Sequence, residues 1–143
     1  MKGILYFDGA SQGNPGKAGI GAVLIIGKEK YTFKMPIGEK TSNQAEYLAL
    51  IAGMLLAKRK NVNYLTVRGD SKLVINQMKG SFKVNDRKLK KLYRKAKELE
   101  RSFKSVNYEW IKREENKEAD KLANEALKTY QGGSYGRGRE ETL

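Results

Sequence analysis

Four acidic residues stand at places in the chain that suit a metal site. Asp8 and Asp70 each follow a short apolar run, whereas Glu46 and Asp120 fall in the early turns of segments with helical spacing. If the two apolar runs are adjacent parallel strands, their ends bring Asp8 and Asp70 side by side. Four gathered carboxylates repel one another unless a multivalent cation neutralises them. The pattern therefore suggests a cation site built from carboxylates.

Each acid also has an ordinary local role open to it, as a turn residue, a helix cap or a partner in a surface ion pair. These alternatives are a turn at Asp8-Gly9, a capping pair of Asn43 with Glu46, an N-cap at Asp70, and an ion pair of Asp120 with Lys117 or Lys121. Any one acid taken alone favours its local role, so the argument for a site depends on all four together.

The amino-acid composition limits the kinds of active site and metal site that the chain can form. The 143 residues include 29 Lys plus Arg, 16 Asp plus Glu, no Cys and no His, which gives a net charge of +13. Disulfides, thiolate nucleophiles, Ser-His-Asp triads and His or Cys metal ligands are excluded. A bound metal must have oxygen ligands, which suit Mg, Mn or Ca. The first apolar stretch is too short for a signal or membrane segment, so we expect a cytoplasmic protein.

The hydropathy pattern predicts the elements that position the acids. Apolar runs and partial alternation predict strands over 4–7, 19–26, 30–37, 64–67 and 106–111. Helical spacing predicts helices after Gly38, with an N-cap at Thr41, Ser42 or Asn43, and over 71–78, 86–101 and 115–129. This order favours an α/β fold in which a five-stranded mixed sheet, three antiparallel strands and then two parallel ones, has helices on both faces. We expect one domain over 1–130 and a Gly-rich, flexible tail over 131–143.

Positive charge is concentrated in one segment. Residues 79–113 contain thirteen basic and four acidic residues, a net +9 of the total +13. A basic amphipathic helix with basic flanks is typical of a phosphate-backbone binder, although a merely solvated helix face gives the same composition.

Four separated motifs resemble type 1 ribonuclease H over about residues 2–130. They are Tyr6-Phe7-Asp8-Gly9-Ala10-Ser11 with Gly13-Asn14-Pro15-Gly16, Thr41-Ser42-Asn43-Gln44-Ala45-Glu46, Gly69-Asp70-Ser71, and Asn116-Lys117-Glu118-Ala119-Asp120-Lys121-Leu122-Ala123. The resemblance implies the ribonuclease H-like fold, whose five-stranded mixed sheet agrees with the pattern above. It also implies an endonuclease that hydrolyses the RNA strand of RNA/DNA hybrids, leaving 5′-phosphate and 3′-hydroxyl ends.

The resemblance implies that the four acids are catalytic and bind two Mg²⁺ ions, with Mn²⁺ as an alternative. Asp8 would bridge both ions, Glu46 and Asp70 would join one, and Asp120 the other. Two such cations activate water on one side and stabilise the leaving oxygen on the other, so no protein nucleophile is needed. The expected partner is an RNA/DNA hybrid, with no membrane association, and the expected state is a monomer.

The resemblance also implies substrate contacts. The candidates are Asn14, Ser42, Asn43 and Gln44 near the RNA strand, and Thr41 and Asn85 at a phosphate of the DNA strand. Local alternatives are the Gly-Asn-Pro-Gly turn for Asn14, a helix cap for 41–43 and an N-cap for Asn85. Capping and ligand contact can coexist at a helix N-terminus.

The sequence departs from many relatives in two ways. It lacks the loop His ahead of the last helix that is thought to assist turnover, and we expect Arg113, rather than the alternative Glu114, to take that role. It also lacks space for an extra basic helix after the third acid, and the basic residues of 86–101 are the candidates to replace it.

A non-catalytic module that binds hybrids or double-stranded RNA is the main alternative function. Another nuclease of the superfamily, such as an integrase or exonuclease, matches these motifs less well.

Overall fold

The computed structural model describes residues 1–132. In chain order the elements are β1 (Lys2–Ser11), β2 (Gly16–Ile26), β3 (Glu29–Lys40), α1 (Ser42–Arg59), β4 (Tyr64–Gly69), α2 (Lys72–Lys79), α3 (Arg87–Glu100), β5 (Ser105–Trp110) and α4 (Lys117–Gly132), with a short 3-10 turn at Arg113–Glu115 before α4.

The sheet has the predicted mixed topology. Its strand order is β3-β2-β1-β4-β5. β1 pairs antiparallel with β2, and β2 with β3, whereas β4 lies parallel to both β1 and β5. β1 is longer than the predicted 4–7, because its pairing with β2 continues from Ile4 opposite Ile25 to Ser11 opposite Ala18. Backbone pairing sets the strand length there, since the apolar run ends at Phe7.

The alternation along β1 separates the two faces of the sheet. Leu5 and Phe7 belong to the buried core, and Leu5 lies against Gly53 of α1. Asp8 points to the opposite face, beside its β2 partner Gly21. On that face α4 packs so closely that a Cβ on Gly21 would lie 2.4 Å from the Ala119 carbonyl oxygen. Helices therefore cover both faces, as predicted.

Among residues 1–132, no helix combines the length and apolar character that crossing a membrane requires. Helix α4 continues to Gly132, two residues past the predicted domain end at 130. The remainder of the predicted tail, residues 133–143, lies outside the described part of the chain.

Candidate active site

Three of the four acids meet where the parallel pairing of β1 with β4 ends. One carboxylate oxygen from each of Asp8, Glu46 and Asp70 lies within 4.8 Å of the others. Asp8 is part of β1 and only 4% exposed, and Asp70 directly follows β4. The parallel pairing of β1 with β4 accounts for the approach of these two acids. Glu46 reaches them from the second turn of α1.

Burial and mutual repulsion dominate the electrostatics of this cluster. Burial raises the pKa of Asp8 well above its ordinary value, and the charges of Glu46, Asp70 and Asp120 raise it further. Burial also raises the pKa of Glu46, although a hydrogen bond from the Gly9 amide, 2.9 Å from Oε1, acts in the opposite direction. Asp8 and Glu46 therefore retain protons at a pH where isolated acids are ionised.

Asp120 lies on α4, which covers the face of the sheet opposite α1. It lies in the first turn of α4, outside the group of three, but close enough to Asp8 to raise the pKa of that carboxyl. Its Oδ1 accepts hydrogen bonds from Arg113 Nη2 at 3.3 Å and from Asn124 Nδ2 at 3.2 Å. The ion pair found for Asp120 in residues 1–132 is thus with Arg113, which differs from the alternative pairing with a lysine of α4.

The alternative capping and turn roles of the acids are filled by neighbouring residues. Thr41 is the N-cap of α1 and forms a reciprocal capping box with Gln44, so Glu46 is not the N3 partner of Asn43. Ser71 caps α2 in place of Asp70. Asp8 lies within a strand and not in a turn. The three clustered acids therefore do not serve as helix caps or turn residues.

A buried asparagine, to which the sequence patterns assigned no role, holds Asp70 in place. Asn116 is 1% exposed, and its Nδ2 donates to Asp70 Oδ2 at 3.1 Å and to the carbonyl of Phe7 at 2.9 Å. The Trp110 indole donates to the Asp70 carbonyl at 3.0 Å. Asn116 belongs to the fourth motif, but only its three-dimensional partners show that it links β1, the third acid and the start of α4.

The donor set fits a hard divalent cation. All of the converging groups are carboxylates, and they lie on rigid elements at the end of the sheet. Oxygen-only sites suit Mg²⁺ and Mn²⁺, and a bound cation would remove the repulsion that raises the pKa of Asp8. Asp8, Glu46 and Asp70 could hold such an ion, with Asp120 available beside Asp8.

The acids open onto a cleft of about 610 Å³. Its lining also includes Ser11, Gln12, Ser42 and Lys128. Arg113 also lines it, with 76% of its side chain exposed. The cleft is therefore polar and open to solvent.

The predicted substrate residues fall in two places. The first is the cleft and the N-terminus of α1, where Asn14 Oδ1 accepts the Ser42 amide at 3.1 Å. Thr41 and Gln44 occupy the capping box, and Asn43 is exposed beside them. Capping therefore does occur at Thr41, and the Ser42 amide is already bound within the chain.

The second place is the start of α3. Asn85 is exposed, and the N-cap of α3 is Asp86, so the capping alternative for Asn85 is wrong. With Asn85, a groove of about 380 Å³ is lined by Arg87, Lys90, Lys91 and Arg94. We call these four cations and Asn85 the α3 basic face. Basic residues of the segment 86–101 thus line one defined groove.

Comparison with known proteins agrees with this geometry. The Reverse transcriptase-like family model matches residues 6–126. The chain is 43% identical over 124 residues to Ribonuclease HI of Halobacterium salinarum, covering 85% of this chain and 62% of that protein. It is 44% identical over 130 residues to the bifunctional protein Rv2228c of Mycobacterium tuberculosis, covering 89% of this chain. The chain spans about a third of the length of that relative, 36%.

Solved structures give the same result. The RNase H1 of H. salinarum superimposes with a TM-score of 0.86 at 41% identity, covering 89% of this chain and 98% of that one. LC11-RNase H1, solved in complex with an RNA/DNA hybrid, gives a TM-score of 0.85 at 34% identity and covers 90% of this chain and 99% of that one. Sequence motifs, strand order and these likenesses agree over the same residues, and the chain belongs to the type 1 ribonuclease H family.

Proposed function

We propose that this protein is an endonuclease that hydrolyses the RNA strand of RNA/DNA hybrids with two divalent cations, leaving 5′-phosphate and 3′-hydroxyl ends. The observation that carries the proposal is the convergence of Asp8, Glu46 and Asp70, with Asp120 beside Asp8. Support comes from LC11-RNase H1, a relative solved with an RNA/DNA hybrid. The two ions would be Mg²⁺, with Mn²⁺ as an alternative.

The acids would divide the ligand roles. Asp8, the most central and most buried of the four, would contact both ions, Glu46 and Asp70 one of them, and Asp120 the other. When bound, the cations supply an activated water and stabilise the leaving 3′ oxygen. The protein holds the carboxylates in place, because Asn116 fixes Asp70 and the Gly9 amide fixes Glu46.

Substrate binding would use both predicted regions. Asn14, Ser42, Asn43 and Gln44 would face the RNA strand near the cleft, where 2′-hydroxyl contacts distinguish RNA from DNA. Thr41 and Asn85 would contact one phosphate of the DNA strand. The α3 basic face adds sequence-independent attraction to the backbone beside that phosphate.

Arg113 would assist turnover. Its side chain is exposed at the cleft and 3.3 Å from Asp120, so it can move between that acid and the product phosphate. An Arg113→Ala variant should therefore cleave with a lower kcat at saturating hybrid. Unchanged multiple-turnover kinetics would refute this role.

The decisive experiment is cleavage of a hybrid labelled on its RNA strand, with and without Mg²⁺. The unmodified protein should cut only with the cation, and Asp70→Asn should bind the hybrid without cutting it. The matched control is Glu29→Gln, which removes one negative charge from an exposed side chain at the start of β3. Mg²⁺-independent binding with no cleavage by the unmodified protein would refute the enzyme and favour a non-catalytic hybrid-binding module.

The remaining elements of the proposal are that the protein acts as a monomer and in the cytoplasm. Light scattering of the protein with and without a short hybrid tests the first. Fractionation of the source cells tests the second.

A further inference from the structure

A chain of buried hydrogen bonds joins α1 to the segment between α2 and α3. The Tyr47 hydroxyl donates to Gln77 Oε1 at 2.6 Å, and Gln77 Nε2 donates to the Lys83 carbonyl at 3.1 Å. Tyr47 is fully buried and Gln77 is 4% exposed. Burial raises the pKa of Tyr47, so its phenol remains a donor. Each group in this chain would be left without its partner if the next one were removed.

The segment 80–86 has few other anchors. Gly80 ends α2 with φ of 84°, and the amides of Ser81 and Phe82 donate to the Asn76 carbonyl at 2.9 and 3.1 Å. Most of its side chains are exposed, and Val84 alone among them packs against the core. The Gln77 amide therefore fixes the middle of the segment, where side-chain packing does little.

The same segment carries Asn85, whereas Thr41 lies at the N-terminus of α1. The proposed contact with one DNA phosphate needs both residues at a fixed separation, although they stand on different elements. Tyr47 lies on α1, less than two turns beyond Thr41, and Lys83 lies two residues before Asn85. The hydrogen bonds through Gln77 thus connect α1, which Thr41 caps, to the segment that carries Asn85.

We propose that Tyr47 and Gln77 are positioning residues for hybrid binding, which set the place of Asn85 relative to Thr41 without touching the substrate. This inference rests on the proposed function, since it concerns the DNA-strand contact of that activity. Helix α1 also carries Glu46, a proposed metal ligand, immediately before Tyr47, so Thr41 and the acid cluster are connected through one helix. Loss of these hydrogen bonds should weaken the binding of the hybrid and leave the acidic residues in place.

The test compares Tyr47→Phe and Gln77→Met, which retain most of the side-chain volume. For either variant, the Kd for a hybrid without Mg²⁺ and the KM with Mg²⁺ should rise about tenfold, equivalent to about 1.4 kcal/mol. The kcat at saturating hybrid should stay within about twofold of the unmodified protein. In an Asn85→Ala background, Tyr47→Phe should add nothing to the loss of affinity, because the contact it positions is already absent.

The matched control is Tyr108→Phe. Tyr108 is another buried tyrosine whose hydroxyl donates to a side chain, here Glu100 at the opposite end of α3. All three single variants should lower the melting temperature, but the control should keep the Kd and KM of the unmodified protein. If Gln77→Met fails to fold, Tyr47→Phe carries the test, because it removes one hydroxyl only.

Two results would overturn the inference. One is a lowered melting temperature in Tyr47→Phe with unchanged Kd and KM, which would make the chain purely structural. The other is a full additional loss of affinity when Tyr47→Phe is combined with Asn85→Ala. Failure of the unmodified protein to cleave would instead refute the proposed function, so the two failures are distinguishable.

Discussion

The buried acid cluster should make the metal-free protein less stable as the pH rises. Burial and the neighbouring acids raise the pKa of Asp8 from its ordinary 3.8 to a value above neutrality. Between those two values the native state holds a proton that the unfolded chain has released. The free energy of unfolding therefore falls with rising pH, by about 1.4 kcal/mol per pH unit for each such proton.

The substitution Asp8→Asn removes this dependence for one group. Without metal, we expect the variant to gain stability relative to the unmodified protein, by about 2.7 kcal/mol more at pH 7 than at pH 5. Coulomb's law gives the same scale: two charges 4.8 Å apart repel by about 3.5 kcal/mol at an effective dielectric constant of about 20. Burial of the Asp8 carboxyl adds to this repulsion, and the two effects together keep the proton on Asp8.

Urea unfolding followed by circular dichroism, in EDTA at several pH values from 5 to 8, measures the difference. Glu114→Gln makes the same change in net charge on an exposed side chain and should show no such trend. Saturating Mg²⁺ should reverse the order, because a ligand at about 100 times its Kd stabilises the native state by about 2.7 kcal/mol. A stability difference between Asp8→Asn and the unmodified protein that stays constant with pH would refute the reasoning.

Three further substitutions test how the site is supported. Asn116→Ala should lower stability by about 2 kcal/mol and weaken Mg²⁺ binding, followed by the fluorescence of the single tryptophan, because it releases the Asp70 carboxylate. Gly21→Ala should cost about 3 kcal/mol in urea unfolding and lower kcat, since its Cβ would meet the Ala119 carbonyl at 2.4 Å and displace α4. Arg94→Ala should reduce the slope of log Kd against log salt by about 1 and leave kcat unchanged at saturating hybrid.

The sequence was sufficient for the sheet and for two of the acids. Apolar runs mark the strands, and the helix between β1–β3 and β4 makes parallel pairing the natural connection, so the adjacency of Asp8 and Asp70 follows from strand topology. Strand length was less predictable. β1 extends to Ser11 because its backbone pairs with β2, and the hydropathy of the sequence does not predict that pairing.

The support around the site could not be predicted in the same way. Asn116 and Gln77 are polar residues in helical or loop segments, where exposure is the usual expectation. Their burial depends on partners far away in the sequence, such as Phe7 for Asn116, 109 positions away. The close packing of α4 likewise depends on Gly21, whose role is visible only when the helix lies against it.

Residues next to the acids, and not the acids themselves, cap the two helices at the site. Helix α1 is capped by Thr41 with Gln44, and α2 is capped by Ser71, so neither Glu46 nor Asp70 contributes a capping bond to its helix. Replacing either acid therefore removes no cap and relieves repulsion, although it also removes the acceptor of the Gly9 amide or of Asn116 Nδ2. Without a cation, clustered acids lower the free energy of unfolding, because the buried ones keep protons that the unfolded chain releases as the pH rises. Their presence beside intact caps is the arrangement expected of residues kept for binding a metal.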